Sequence, residues 1–120
     1  MKSIAIIGLG QFGYQLAIAL SQKGFDVIAV DNEAAVINEI KEIIDRAVIV
    51  DTTDEIAMRA VNITNVDIAI VSMGTNVQAS LLTTALLQRL NIDNIYVRAI
   101  DSLQEQILHS MGINNVINIE

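Results

Sequence analysis

The sequence predicts an α/β fold: a doubly wound parallel sheet of six strands in the order 3-2-1-4-5-6, with helices on both faces. Three observations predict it. Short apolar runs recur through the 120 residues, alternating with stretches whose apolar residues fall at helical spacing. The runs are continuous rather than alternating in polarity, which is how strands covered on both faces read. The first run, within IAIIGLGQFGYQLAIAL at residues 4–20, stops at a glycine turn from which a helical pattern starts at once.

Taken in order, Ile4–Ile7 is the first strand, ended by Gly8, and Gln11–Lys23 the first helix. Val27–Val30 is the second strand. Glu33–Ile44 follows as a helix because Val36, Ile37, Ile40 and Ile44 make one stripe. Ala47–Val50 leads to a helix over Asp54–Val61, with Asp54 or Thr53 as its N-cap. Ile68–Val71 precedes the helix Thr75–Leu90, capped by Thr75, with Ala79, Leu82, Leu86 and Leu90 expected to face the sheet. Ile95–Ile100, the helix Ser102–Met111 and Val116–Ile119 complete the series. Strands alternating with helices imply right-handed crossovers and a parallel sheet. A phosphorylated receiver of the other doubly wound order would want carboxylates at the end of its first strand. That strand ends in Gly8 here, so the crevice is expected between the first and fourth strands.

Hydrophobic residues make up 52% of the chain, enough for one domain with elements buried on both faces. No apolar stretch approaches the roughly 18 residues that span a bilayer, so direct membrane insertion is not expected. Cysteine is absent, which rules out disulfide and thiolate–metal schemes and suits the cytosol. Acids outnumber bases 14 to 7 and aromatics are only 3%, so neither duplex nor single-stranded nucleic acid is an expected partner.

Gly8-Leu9-Gly10-Gln11-Phe12-Gly13 fits the G-x-G-x-x-G fingerprint of a Rossmann-like dinucleotide site. Gly8 permits the tight turn, Gly10 lets a pyrophosphate approach the backbone, and Gly13 lets the helix pack closely on the strands. The amides at the head of that helix lack intrahelical partners, and the helix dipole adds partial positive charge, so an acidic chain still offers a local anion site. Asp31 closes the second strand, where a carboxylate accepts ribose hydroxyls and repels a 2′-phosphate. NAD(H) or an adenine nucleotide, ATP or ADP, is therefore expected over NADP. The other reading makes Asp31 a turn or cap residue in Asp31-Asn32-Glu33. Asp51 and Thr52 lie where an adenine ring would rest, or else serve only as caps. Met73, Gly74 and Asn76 face the first turn from the end of the fourth strand. Arg98 interrupts a strand that should be buried and needs an anion, either a phosphate or a carboxylate such as Asp101 or Asp51. His109, the lone histidine, has no visible cluster for catalysis or metal binding.

No second set of residues places a substrate or moves a proton, so the chain is expected not to be an enzyme. Leu81 and Leu87 lie off the sheet-facing stripe of the fourth helix, making it apolar nearly all round, as for a helix covered on both sides. Self-association through its outer face, together with that of Ser102–Met111, is expected.

The first turn, Val30-Asp31, Asn76-Val77-Gln78-Ala79-Ser80-Leu81-Leu82-Thr83-Thr84, Ile95-Tyr96-Val97-Arg98-Ala99 and Met111-Gly112-Ile113-Asn114-Asn115-Val116-Ile117 together resemble the TrkA-N domain. This domain, also called RCK or KTN, belongs to cytosolic regulators of potassium channels and transporters, and the resemblance covers essentially the whole chain. It implies a module that binds NAD(H) or ATP/ADP, forms homodimers, and joins a ring, octameric in the Ktr members, beneath a membrane pore. In those members a basic residue matching Arg98 meets phosphate, and an acid matching Glu120 helps hold a divalent cation at the dimer interface. The sequence departs from the pattern at Gln11, where many members have arginine, at Val50 for glycine and at Ile119 for proline. It also stops where such regulators continue into a second, sensory lobe. The competing expectation is the cofactor domain of an NAD-dependent oxidoreductase separated from its catalytic domain.

Overall fold

Alternate side chains of the first strand enter two different cores, which is why its sequence is apolar at every position. In the computed structural model, which describes residues 2–118, β1 (Ser3–Ile7) sends Ala5 and Ile7 to one face and Ile4 and Ile6 to the other. It is followed by α1 (Gln11–Gln22), β2 (Asp26–Asp31), α2 (Ala34–Ile40) and β3 (Ala47–Ile49). Next come α3 (Glu55–Ala60), a 3-10 turn at Ile63–Asn65, β4 (Ile68–Val71) and α4 (Val77–Arg89). The series ends with β5 (Asn94–Ala99), α5 (Ser102–Ser110) and β6 (Asn115–Asn118). All strand pairs are parallel, and the sheet order is β3-β2-β1-β4-β5-β6, as the alternation predicted.

The chain steps outward from β1 through β2 to β3, then crosses to β4 and steps the other way. Helices α1 and α2 therefore cover one face and α3, α4 and α5 the other. Ala17, Ile37, Ile40 and Ile44 pack on the first face with Ile4, Ile6 and Val27. Met58, Leu87, Leu90 and Leu108 pack on the second with Ile7, Val30 and Val71. Ile7 pairs in register with Val30 on one side and Val71 on the other, so the carboxyl ends of β1, β2 and β4 finish level. The order reverses between β1 and β4, and a crevice opens there.

Two expectations need correction. The helix expected over Glu33–Ile44 ends at Ile40. The amides of Ile43 and Ile44 both turn back to the Ile40 carbonyl, at 2.9 and 2.8 Å, so the chain tightens into turns. Ile44 still reaches the core that way and remains buried. The second correction concerns α4. Its sheet-facing side is Ser80, Thr83, Thr84, Leu86, Leu87 and Leu90, without Ala79 and Leu82; Leu82 is 52% exposed. Leu86 and Leu90 are buried as expected, but small polar residues take the innermost positions and bring the helix close to the sheet. Thr84 is satisfied within the helix: its hydroxyl donates to the Ser80 carbonyl at 2.8 Å. The polarity of Ser80, Thr83 and Thr84 concealed this face from a search for apolar periodicity.

Of the two helix caps expected, one is borne out and one corrected. Asp54 accepts from the amides of Ile56 and Ala57, as the alternative Asp54 or Thr53 allowed. Asp101 caps α5 by accepting from Gln104. Asn76, rather than Thr75, caps α4 by accepting from Ala79 at 3.2 Å.

Replacing Leu87 by Ala should cost about 2–5 kcal/mol, whereas Leu82→Ala should cost under about 1 kcal/mol, because only Leu87 leaves a cavity. Urea denaturation of the two variants tests the orientation of α4; equal losses would contradict it.

Candidate nucleotide-binding site

Three backbone segments meet at the end of β1 with no side chain between them. Gly8 has φ +96°, and a Cβ there would collide with the Ser72 carbonyl oxygen. A Cβ on Gly13 would collide with the Gly8 carbonyl oxygen, so α1 can sit this close to β1 only with glycine at its third position. Gly10 is different: a Cβ there would meet nothing within 4 Å, because it faces open space. Gly10 is also the N-cap of α1 and supplies no side-chain cap. The first α1 amide to find an intrahelical carbonyl is that of Tyr14, which donates to Gly10 at 2.8 Å. The amides before it are left to whatever lies at the head of the helix.

The turn is tied to its neighbours by directed bonds. The Gly8 amide donates to the Val30 carbonyl at 2.9 Å. The Leu9 amide donates to Asp31 Oδ2 at 2.7 Å, and the Glu33 amide donates to Asp31 Oδ1 at 2.9 Å. Asp31 thus makes the turn that its alternative reading allowed, without capping α2, whose N-cap is Glu33, and also fixes the glycine turn. Each of its oxygens keeps a second lone pair that can accept a hydroxyl.

A cleft of about 360 Å³ opens over this turn. Of the residues expected at the site, Gly8, Leu9, Gly10, Asp31, Asn32, Asp51, Thr52, Met73, Gly74 and Asn76 line it. Ser72, Thr53, Thr75 and Ala79 also line it, all of them small side chains that leave the cleft open. Asp51 Oδ1 accepts from both the amide and the hydroxyl of Thr53, at 3.0 and 2.7 Å. The hydroxyl bond, and then the amide bond, hold its carboxyl below the usual carboxylate range. Thr52 is buried, and its hydroxyl pairs with that of Thr83 on α4 at 2.9 Å. Sequence reasoning had no route to that pair, which joins residues 31 positions apart.

Four expected residues do not line the cleft. Gly13 lies beneath the turn and Phe12 on the helix beside it, while Gln11 borders a shallow groove with Tyr14, Gln15 and Glu39. Arg98 leaves the sheet on the α1 side and lies over the Phe12 ring, its guanidinium carbon 5.5 Å from the ring centre. That is a cation–π contact. Among the described residues it forms no ion pair with Asp101 or Asp51, and its Nε is buried without a partner. Glu120, implied as a metal ligand, and Ile119 lie outside the described residues.

No group of three or more metal-ligating side chains comes together among the described residues. The donor set fits a nucleotide instead: unpaired amides at a helix head, an open approach at Gly10, and a carboxylate with spare lone pairs at the end of β2.

Comparison with known proteins agrees with this architecture. The chain is 39% identical over 119 residues to Ktr system potassium uptake protein C of Bacillus subtilis strain 168, covering 99% of this chain and 54% of that protein. It is 37% identical to Ktr system potassium uptake protein A of the same organism, over the same shares of each chain. The chain therefore spans about half the length of the curated relatives it matches. Among solved structures, the AMP-bound form of Kef CTD from Shewanella denitrificans superposes with a TM-score of 0.85 at 18% identity, over 98% of this chain and 72% of that one. The family model of the TrkA-N domain matches residues 4–119, and the chain belongs to that family.

Proposed function

We propose that this chain is the nucleotide-binding domain of a regulatory subunit of a potassium uptake system, taking NAD(H) or ATP/ADP in the cleft between β1 and β4. The observation that carries the reading is the glycine turn over that cleft, with the α1 amides unpaired and Asp31 beside them. The diphosphate sits at the head of α1, and the ribose hydroxyls donate to Asp31. Asp51, Thr52, Met73 and Asn76 border the base. Relatives at 37–39% identity are named as potassium uptake proteins, which supports a regulatory module over the cofactor half of an oxidoreductase. In this reading the chain is not catalytic, and the parent protein continues into a sensory lobe.

The nucleotide regulates only if it binds two shapes of an assembly with different affinity. Self-association as homodimers and then a ring supplies those shapes, and a membrane potassium channel or transporter subunit is the partner they act on. The exposed apolar side chains Leu82 on α4 and Leu103 and Ile107 on α5 support an assembly face on that side of the molecule. No helix of the described residues is long and apolar enough to cross a membrane, in keeping with a cytoplasmic position held at the membrane through the partner. A divalent cation would accompany ATP. ATP and ADP differ by one phosphate at the head of α1, near Arg98, where a charge difference would bias the two shapes most.

Calorimetric titration tests the site. NAD⁺ or ADP should bind the wild-type chain, and Asp31→Ala should weaken that binding by about tenfold or more, since it removes charge-assisted bonds and frees the Leu9 amide. Absence of binding by both nucleotides would overturn the reading, and unchanged affinity in Asp31→Ala would remove the ribose assignment. NADP⁺ should bind more weakly than NAD⁺, because its 2′-phosphate would face the Asp31 carboxylate. Arg98→Ala should weaken ATP more than adenosine; equal, unchanged affinities would remove Arg98 from the phosphate site.

A further inference from the structure

Behind the glycine turn lies a buried hydroxyl that nothing in the fold uses. Ser72 follows β4, its side chain is 1% exposed, and its Oγ has no hydrogen-bond partner. Among the described residues, Arg98 Nε is the other buried side-chain polar atom without a partner, and the remaining fully buried polar side chains all have one. The Thr52 and Thr83 hydroxyls bond each other, Thr84 donates to the Ser80 carbonyl, and Gln104 donates to the Ser80 hydroxyl and accepts from the Ile100 amide. A buried hydroxyl is ordinarily satisfied, so an orphan in a fold that satisfies its neighbours calls for a partner outside the chain.

The position of Ser72 says what that partner is. Its carbonyl oxygen lies against Gly8, and its Cβ is 3.5 Å from where a Cβ on Gly13 would be, so it packs beside the first turn of α1. It also lines the cleft. The α1 head presents only N–H donors there, and a serine hydroxyl donates through one O–H. A group in the cleft that reaches both must accept from both, and it must tolerate the positive end of the helix dipole. A phosphate oxygen has that chemistry; a ribose hydroxyl or a base edge does not offer acceptors alone.

We infer that the Ser72 hydroxyl is a phosphate contact of this site, donating to an oxygen of the diphosphate held at the head of α1. The inference rests on the nucleotide reading and adds to it a side-chain donor beside the amides. Ser72 Oγ is covered, so contact with the ligand requires the turn to ease outward, and Gly10, with nothing within 4 Å of a Cβ there, leaves room for that. Binding then exchanges an unmade hydrogen bond for a charge-assisted one.

The test compares Ser72→Ala with the wild-type chain, using ADP, NAD⁺ and adenosine by calorimetry and the thermal midpoint of each protein without ligand. ADP and NAD⁺ should bind Ser72→Ala about tenfold more weakly, adenosine affinity should change by less than about twofold, and the ligand-free midpoint should hold or rise. Unchanged ADP affinity would overturn the inference. So would an equal loss for adenosine, which would mark a packing effect, or a lowered ligand-free midpoint, which would mark a bond within the protein. Failure of the wild-type chain to bind ADP and NAD⁺ would instead remove the nucleotide reading, and this inference with it.

Discussion

The structure depends on a place where backbone meets backbone. At the end of β1 the chain must turn sharply, start a helix, and leave that helix pressed against the strand it has just left. Gly8 against the Ser72 carbonyl and Gly13 against the Gly8 carbonyl make this possible, because each position lacks the carbon that would collide. The packing sets the distance between α1 and the sheet, and so the depth at which Ala17 enters the core. It also strips the head of α1 of side chains, leaving the cap to Gly10, which offers no side-chain acceptor. A side-chain cap, like those Asp54 and Asp101 give α3 and α5, would have satisfied those amides within the chain. Its absence keeps the helix head available to an anion.

An acidic chain with a site for phosphate is consistent once distances are considered. The formal charge of −7 is spread over the surface and is screened beyond roughly 10 Å. The amides and the helix dipole act within the first turn, where screening is weak. The carboxylates that line the cleft are themselves engaged. Asp31 is bonded by the Leu9 and Glu33 amides, and Asp51 by the amide and hydroxyl of Thr53. Their charge is directed at donors of the chain on one side, while free lone pairs remain for hydroxyls on the other.

Much of this was legible in the sequence, and the illegible part has a common cause. Continuous apolar runs such as Ile4–Ile7 identified strands because a sheet covered on both faces leaves no polar position to obscure them. The glycine spacing identified the turn, and Asp31 at the end of the second run identified its neighbour. Periodicity failed on α4, where Ser80, Thr83 and Thr84 occupy the buried side and the apolar residue Leu82 is exposed. Burial there is decided by hydrogen bonds between distant residues, and a pattern of apolar positions along one segment carries no trace of them. Arg98 was legible only in part. A charge in a buried strand suggested an ionic partner, whereas the side chain is placed over an aromatic ring contributed by α1. The sequence placed Ser72 opposite the first turn, but no residue type announces that its hydroxyl will lack a partner.

The polar side of α4 also bears on how a cleft and an outer surface can be linked. Thr52 lines the cleft and is bonded to Thr83, in the middle of α4. Asn76, at the same rim, caps the start of that helix. A nucleotide that displaces Thr52 must therefore either carry α4 with it or break a buried bond. Breaking it would leave two hydroxyls unsatisfied in a closely packed layer, which is the costlier course. Gln104 extends the chain of contacts, since it bonds Ser80 on α4 from its own place on α5. The helices that carry Leu82, Leu103 and Ile107 on their outer surfaces are thus joined to the cleft by buried hydrogen bonds rather than by apolar contact alone. Apolar contacts tolerate small slides, whereas hydrogen bonds weaken steeply with misalignment, so the polar seam is the stiffer of the two connections.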